Sequence, residues 1–253
     1  MTLRPEKNQL AELRVAAMTL SRLPVGRVEE PVPSMGSTRW AYPLVGAILG
    51  VFVGGAYVIF EATGMPALVA AFLAVTMGVL ATGGLHEDGL ADCADGFWGG
   101  RDRARKLEIM RDSRIGSYGT LALILSVGMR VAAIAALAAP FWSIVGVAVL
   151  SRFAMVAAME WLPPARNEGL GATASDGASQ LAPAAFLSIA GVAALVLGVG
   201  PSAWITLPIM AFAALIFAHI ARRHIGGQTG DVLGALQQVS EIAGLVALSA
   251  LSA

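Results

Sequence analysis

Gly83–Gly119 reads GGLHEDGLADCADGFWGGRDRARKLEIMRDSRIGSYG, and what stands on either side of it decides the fold. Pro66–Leu85 before it and Ser117–Ala139 after it are apolar runs of about 20 residues, the helical length that crosses a bilayer core. A dense patch of charge and glycine is thus strung between two membrane spans. Working outward, the same criterion marks Trp40–Phe60, Phe141–Leu162, Leu181–Val199 and Ser202–Ala221 as further spans. The tail Glu241–Ala253 is either a seventh, incomplete span or a segment lying against the others. Gln9–Leu23 reads as a short amphipathic helix at the membrane interface.

Composition agrees with this reading. Of 253 residues, 57% are hydrophobic and 13% charged, and mean hydropathy is +0.72. Soluble domains carry roughly 25% charged residues, so about half the usual polar surface is missing. The single cysteine, Cys93, excludes an internal disulfide framework and a cysteine-based zinc cage. The stretch before Trp40 has scattered basic residues and no compact apolar core ending in a cleavage site, unlike a signal peptide. The expected architecture is all-α: a polytopic membrane protein of six to seven transmembrane helices with an amphipathic N-terminal helix.

Basic residues orient the spans. Arg4, Lys7, Arg14, Arg22, Arg27 and Arg39 precede the first span, and Arg101, Arg103, Arg105, Lys106, Arg111 and Arg114 lie between the second and third. Arg166, Arg222 and Arg223 fall on the same side if the spans alternate, and the opposite loops contain no Lys or Arg. The positive-inside rule therefore places the N-terminus and the charged loops in the cytoplasm. Arg130 and Arg152 sit near mid-span, where a charge costs on the order of 3 kcal/mol and needs a partner or a wet cavity. A backbone carbonyl, Glu160 or a bound anion could each serve.

Glu87, Asp88, Asp92 and Asp95 crowd into nine positions. If the second helix continues past the membrane surface, Asp88, Asp92 and Asp95 fall within roughly 60° of one another on one face. Three carboxylates on one stripe repel, so the face is either solvated or shared with cations. Oxygen ligands of this kind suit a hard cation, Mg²⁺ above all, held by a few carboxylates and substrate phosphate. Gly96–Gly100 is expected to break that helix, and an amphipathic helix at Arg103–Ser113 to follow it. Carboxylates for metal and clustered arginines for phosphate oxygens are the parts of phosphoryl transfer.

Other motifs carry less. His86-Glu87 lacks the second histidine of a zinc protease helix, since Leu90 stands there, and His219 and His224 stand alone. No Walker loop or dinucleotide fingerprint is present. Gly226-Gly227-Gln228-Thr229-Gly230-Asp231 could form an anion nest to which Thr229 and Asp231 add a ligand, or could equally be a helix-capping turn.

The run GGLHEDGLADCADG, then Gly99-Gly100, then RKLEIMRDSRIGSYG, closely resembles the cobalamin synthase family of adenosylcobinamide-GDP ribazoletransferases. GGQTGDVLGALQQVSE (Gly226–Glu241) is similar to that family's second signature, and Ser21-Arg22-Leu23-Pro24 to an early one. The resemblance spans nearly the whole chain. It implies one membrane-embedded transferase domain over 1–253, with a cytoplasmic N-terminal segment at 1–39 and a catalytic cytoplasmic loop at 86–116. It also implies a location in the cytoplasmic (cell inner) membrane.

The implied reaction is attack by the hydroxyl of α-ribazole, or of its 5′-phosphate, on adenosylcobinamide-GDP with loss of GMP and with Mg²⁺ required. Under the resemblance, Glu87, Asp88, Asp92 and Asp95 hold the metal. Arg111, Arg114 and Lys106, with Gly227, Thr229 and Asp231, bind phosphate and substrate. Asp112 or Asp95 takes the hydroxyl proton. The implied partners are these small molecules and the lipid bilayer, with no nucleic acid; the oligomeric state is left open. Two alternatives remain: a CDP-alcohol-type membrane phosphotransferase, whose signature differs in spacing after Asp95-Gly96, and a cation transporter, suggested by Arg130 and Arg152.

Overall fold

The computed structural model describes residues 9–166, 168–169, 173 and 177–251, and all their regular elements are helices. Arg4, Lys7, Asp176 and the last two tail residues, Ser252 and Ala253, lie outside the described residues. In chain order the helices are α1 (Gln9–Leu20), α2 (Met35–Thr38), α3 (Tyr42–Ala62), α4 (Ala67–Thr82), α5 (Leu85–Gly99) and α6 (Arg103–Ile109). Then come α7 (Ser117–Ala135), α8 (Pro140–Trp161), α9 (Leu181–Val199), α10 (Ala203–Ile225) and α11 (Gly230–Leu251).

Among the described residues, five helical stretches are long and apolar enough to cross a membrane, or six if α4 and α5 count together. The chain is a multi-pass membrane protein. One of the five is the 45-residue stretch Leu181–Ile225, about 67 Å if straight against a bilayer core of about 30 Å. It is divided by a 3₁₀ turn at Gly200–Ser202, and its halves run in opposite directions. Gly198 packs against Trp142 at the start of α8, whereas His224 reaches Phe97 of α5.

α8 and α11 are the most enclosed of the long helices, with α3, α9 and α10 packed on α8 and with α5, α7 and α10 on α11. Small residues set the closest approach, as in membrane bundles generally. A Cβ on Gly50 of α3 would lie 2.8 Å from the Val145 Cα of α8. The outward faces of α9 and α10 expose large apolar side chains such as Phe186, Leu197 and Phe212, which suits contact with lipid tails.

Several sequence expectations change here. The second span does not run on into the acidic stripe. Gly83 (φ 66°) and Gly84 (φ 71°) both take the left-handed conformation that glycine adopts freely. The chain therefore restarts as α5 at 89° to α4. α5 carries four carboxylates, is not by itself one of the five spanning stretches, and packs against α11.

Gly96 does not break α5, which continues to Gly99. Its absent side chain leaves room for α6 to fold back, because a Cβ there would sit 3.0 Å from the Lys106 carbonyl. α6 stops at Ile109 rather than Ser113. The described part of the tail, 241–251, proves to be the second half of α11, a full-length apolar helix. α1 packs through buried Ala16, Ala17 and Leu20 on the bundle end that carries α5.

Candidate active site

Four segments meet at this end: α5, α6, the extended segment Pro163–Arg166 and the loop entering α11. The Gly226–Gly230 loop is strapped to that segment, where Gln228 N donates to the Pro163 carbonyl (2.9 Å) and Ala165 N to the Gln228 carbonyl (2.8 Å). Thr229 Oγ1 accepts from Val232 N (3.3 Å) and donates to Asp231 Oδ2 (3.1 Å), so Thr229 caps α11 and orients Asp231. α5 crosses the start of α11 at Gly89, where a Cβ would be 2.7 Å from the Asp231 carbonyl oxygen. This contact brings Asp231 to the acidic face of α5.

The four carboxylates of α5 divide into two kinds. Asp95 accepts hydrogen bonds from Gly116 N (2.7 Å) and Gly119 N (2.9 Å), satisfying free amides at the N-terminus of α7. Glu87 turns into the bundle, where its Oε1 lies 2.8 Å from Arg130 Nη2 and accepts from Gln238 Nε2 (3.2 Å). Asp88 and Asp92 have no ion pair among the described residues; they face Asp231 instead. Burial is the main cause that raises the Asp92 carboxyl to about 7, followed by the negative charges of Asp231, Asp88 and Asp95. Asp88 and Asp231 also border a cavity of about 70 Å³ between α1, α3, α5, α8 and α11, with Thr19 and Leu20 of α1 in its wall.

The basic residues divide too. Arg166, not singled out from the sequence, is the cation whose charge opposes Asp92 and Asp231. Its Nη2 donates to the Leu107 carbonyl (2.8 Å) while its buried Nε has no partner. Arg111 is exposed and close enough to Arg166 to be felt electrostatically. Lys106 Nζ is 3.1 Å from His224 Nδ1, which also lies 2.9 Å from the Phe97 carbonyl; this places Lys106 at the rim. Arg114 forms a forked pair with Asp112 (Nη2 to Oδ2 2.7 Å) on the surface. Those hydrogen bonds hold the Asp112 carboxyl down at about 2.

Of the site residues read from the sequence, the structure thus brings together Asp88, Asp92 and Asp231, with Thr229 behind and Arg111 nearby. Glu87, Asp95, Lys106, Asp112 and Arg114 are each engaged elsewhere. Among the described residues, no three His, Cys, Asp or Glu side chains gather closely enough to hold a metal unaided.

Of the alternatives left open for the mid-span arginines, Glu160 is engaged elsewhere and other carboxylates take its place. Glu160 pairs with Arg39 (3.4 Å). Arg152 Nη1 pairs with Glu241 Oε2 (2.8 Å), and Arg130 reaches both Glu87 and, at 3.7 Å, Glu241. Gln237 and Gln238 brace this group, and Gln237 Nε2 lies 2.5 Å from Glu241 Oε2. The Arg130–Glu87 pair is close but poorly aimed as a hydrogen bond, leaving Arg130 Nε and Nη2 without a hydrogen-bond acceptor.

Fold and site together define a multi-pass helical membrane protein with a carboxylate-rich centre at one end of its bundle. The cobalamin-5-phosphate synthase family model matches residues 12–249, and the chain belongs to that family. It is 43% identical over 249 residues to the adenosylcobinamide-GDP ribazoletransferase of Bradyrhizobium diazoefficiens, covering 96% of this chain and 95% of that one. It is 44% identical over 263 residues to the protein of that name from Xanthobacter autotrophicus, covering 93% and 94%. It is 45% identical over 229 residues to the one from Sinorhizobium medicae, covering 85% and 86%. No solved structure matches the chain.

Proposed function

We propose that this chain is the transferase that joins α-ribazole, or its 5′-phosphate, to adenosylcobinamide-GDP with release of GMP, a late step of cobalamin biosynthesis. Family membership supports the reaction. The observation that carries the site is the group Asp88, Asp92 and Asp231, crowded together with Arg166 as its nearby cation. A single domain does this work, and its site end faces the cytoplasm, as the distribution of basic residues implies.

Uncompensated carboxylates of this kind fit Mg²⁺, which is commonly held by one or two carboxylates and completed by substrate phosphate and water. Asp88 and Asp231 are the residues that would hold it; bound there, it would offset the negative charge of the diphosphate. Asp92, with a proton affinity near neutrality, takes the proton of the attacking hydroxyl. A P–O bond to the ribazole oxygen forms as the P–O bond to GMP breaks. Arg166, seconded by Arg111, stabilises charge on the departing phosphate. The cavity walled by Thr19, Leu20 and Asp231 receives part of the substrate, and α1 stands at its edge.

The test is GMP release and corrinoid product from detergent-solubilised protein, with and without Mg²⁺, for the unmodified chain and Asp88→Ala. Mg²⁺-dependent product that disappears in a folded Asp88→Ala protein is expected. No product from well-folded unmodified protein sinks the reading, and release of CMP from a CDP-alcohol substrate replaces it. Transport loses its main support, because Arg130 and Arg152 are paired with carboxylates.

A further inference from the structure

α5 leaves α4 through two left-handed glycines, and such a joint does not fix the rotation of the new helix about its axis. Rotation nevertheless decides which carboxylates face Asp231. At 100° per residue, Glu87 lies about 120° around the helix from the mean direction of Asp88 and Asp92. If Glu87 points inward, Asp88 and Asp92 point at Asp231. Three like charges facing one another push α5 the other way, so something must hold it.

The holding group is in the middle of the bundle. Arg130 on α7 lies 2.8 Å from Glu87 and is 6% exposed, so turning Glu87 away would leave a buried cation with only the longer contact to Glu241. Losing one partner of a buried pair is costly because the other charge is stranded. Gln238 donates to the same Glu87 oxygen from α11, the helix that carries Asp231. His86, one residue earlier, borders both the cavity beside Asp88 and a cavity of about 50 Å³ beside Arg130 and Arg152.

We propose that Arg130 is a positioning residue for the active site: through Glu87 it sets the rotation of α5 that aims Asp88 and Asp92 at Asp231. Arg152 lies at similar burial in the same group but pairs with Glu241 and not with Glu87. The role therefore belongs to Arg130 and not to Arg152. The proposal rests on the carboxylate site assigned above.

The chain supplies its own probe. Cys93, the one cysteine of the sequence, is buried on α5 beside Asp92. Its reaction with a maleimide reports rotation of the helix whether or not metal binds. The experiment compares unmodified protein, Arg130→Gln, Arg152→Gln and Glu87→Gln in detergent. It reads Cys93 labelling rate, melting temperature and, with Mn²⁺ standing in for Mg²⁺, cation affinity from the spin resonance of free Mn²⁺.

Arg130→Gln is expected to label at least about tenfold faster and to bind Mn²⁺ about tenfold more weakly, the range seen when an outer partner of a metal ligand is lost. Arg152→Gln should stay within about twofold of unmodified protein on both readouts, since α5 keeps its partner. Should Arg130→Gln fail to fold, Glu87→Gln, which retains an amide for Gln238, is expected to show the same two changes to a lesser degree. Equal labelling in Arg130→Gln and Arg152→Gln, or a Cys93 that stays protected in both Arg130→Gln and Glu87→Gln, overturns the proposal. Unmodified protein that binds no Mn²⁺ while Cys93 still becomes reactive in Arg130→Gln overturns the metal assignment and leaves the positioning role intact.

Discussion

Two groups of charge lie within a few residues of each other on this chain, and they are built to opposite plans. In the bundle interior, Arg130 and Arg152 are matched by Glu87 and Glu241, with Gln237 and Gln238 donating to those carboxylates. At the bundle end, Asp88, Asp92 and Asp231 are gathered with Arg166 as the neighbouring cation. A fold that matches each buried arginine with a carboxylate does not leave three carboxylates together for want of partners. Paired charge fastens helices; surplus charge of one sign marks where a ligand of the other sign belongs.

The sharpest way to break the comparison is Asp88→Ala, which should lower GMP release by about a thousandfold, a loss typical of removing a charge-stabilising group, while the melting temperature holds. Next comes Glu241→Ala, which strands Arg152 and weakens the hold on Arg130. It should cost about 3 kcal/mol of stability, read as a lowered melting temperature, with any surviving folded protein still active.

Acidity probes the surplus charge directly. Asp92, the proposed base, accepts a proton only when ionised, and burial and neighbouring carboxylates raise its carboxyl to about 7, so at low Mg²⁺ the rate should fall as pH drops through about 7. Added Mg²⁺ offsets the charge of Asp88 and Asp231 and should move that limb to lower pH. A pH–rate series at several Mg²⁺ concentrations checks both the limb and its direction of travel. The smallest effect is expected at Asp112, whose exposed pair with Arg114 stands apart from the site. Asp112→Asn should change the rate by less than about twofold, since exposed pairs contribute little. A large loss there would move the general base from Asp92 to Asp112.

Much of this was legible in the sequence. Apolar runs of bilayer length gave the helices to within a few residues, because lipid leaves the chain no alternative to internal hydrogen bonding. The acidic segment announced a site because carboxylates beside a membrane span need a reason. What sequence could not supply was the direction of each carboxylate. That direction depends on the 89° turn at Gly83-Gly84, a feature that local spacing reads only as two flexible residues. For the mid-span arginines the sequence leaves a backbone carbonyl, Glu160 and a bound anion equally open, because their partners come from distant segments. The carboxylates that pair with them are Glu87, in the acidic segment, for Arg130 and Glu241, in the stretch Gly226–Glu241 that resembles the family's second signature, for Arg152. Arg166 reads from the sequence only as one more basic residue on the cytoplasmic side, because nothing in its own segment distinguishes it; only folding sets it opposite Asp231.

The packing of α5 against α11 also bears on how the molecule is made. Glu87 meets Gln238, and Gly89 meets Asp231, across some of the longest sequence separations in the chain. As the polypeptide emerges from the ribosome, the acidic helix must wait, unfastened on one side, until the final helix has been synthesised and inserted. The centre is therefore completed last. A nascent chain that stops short of α11 carries every earlier span and no working site, which makes full-length synthesis itself the condition for activity.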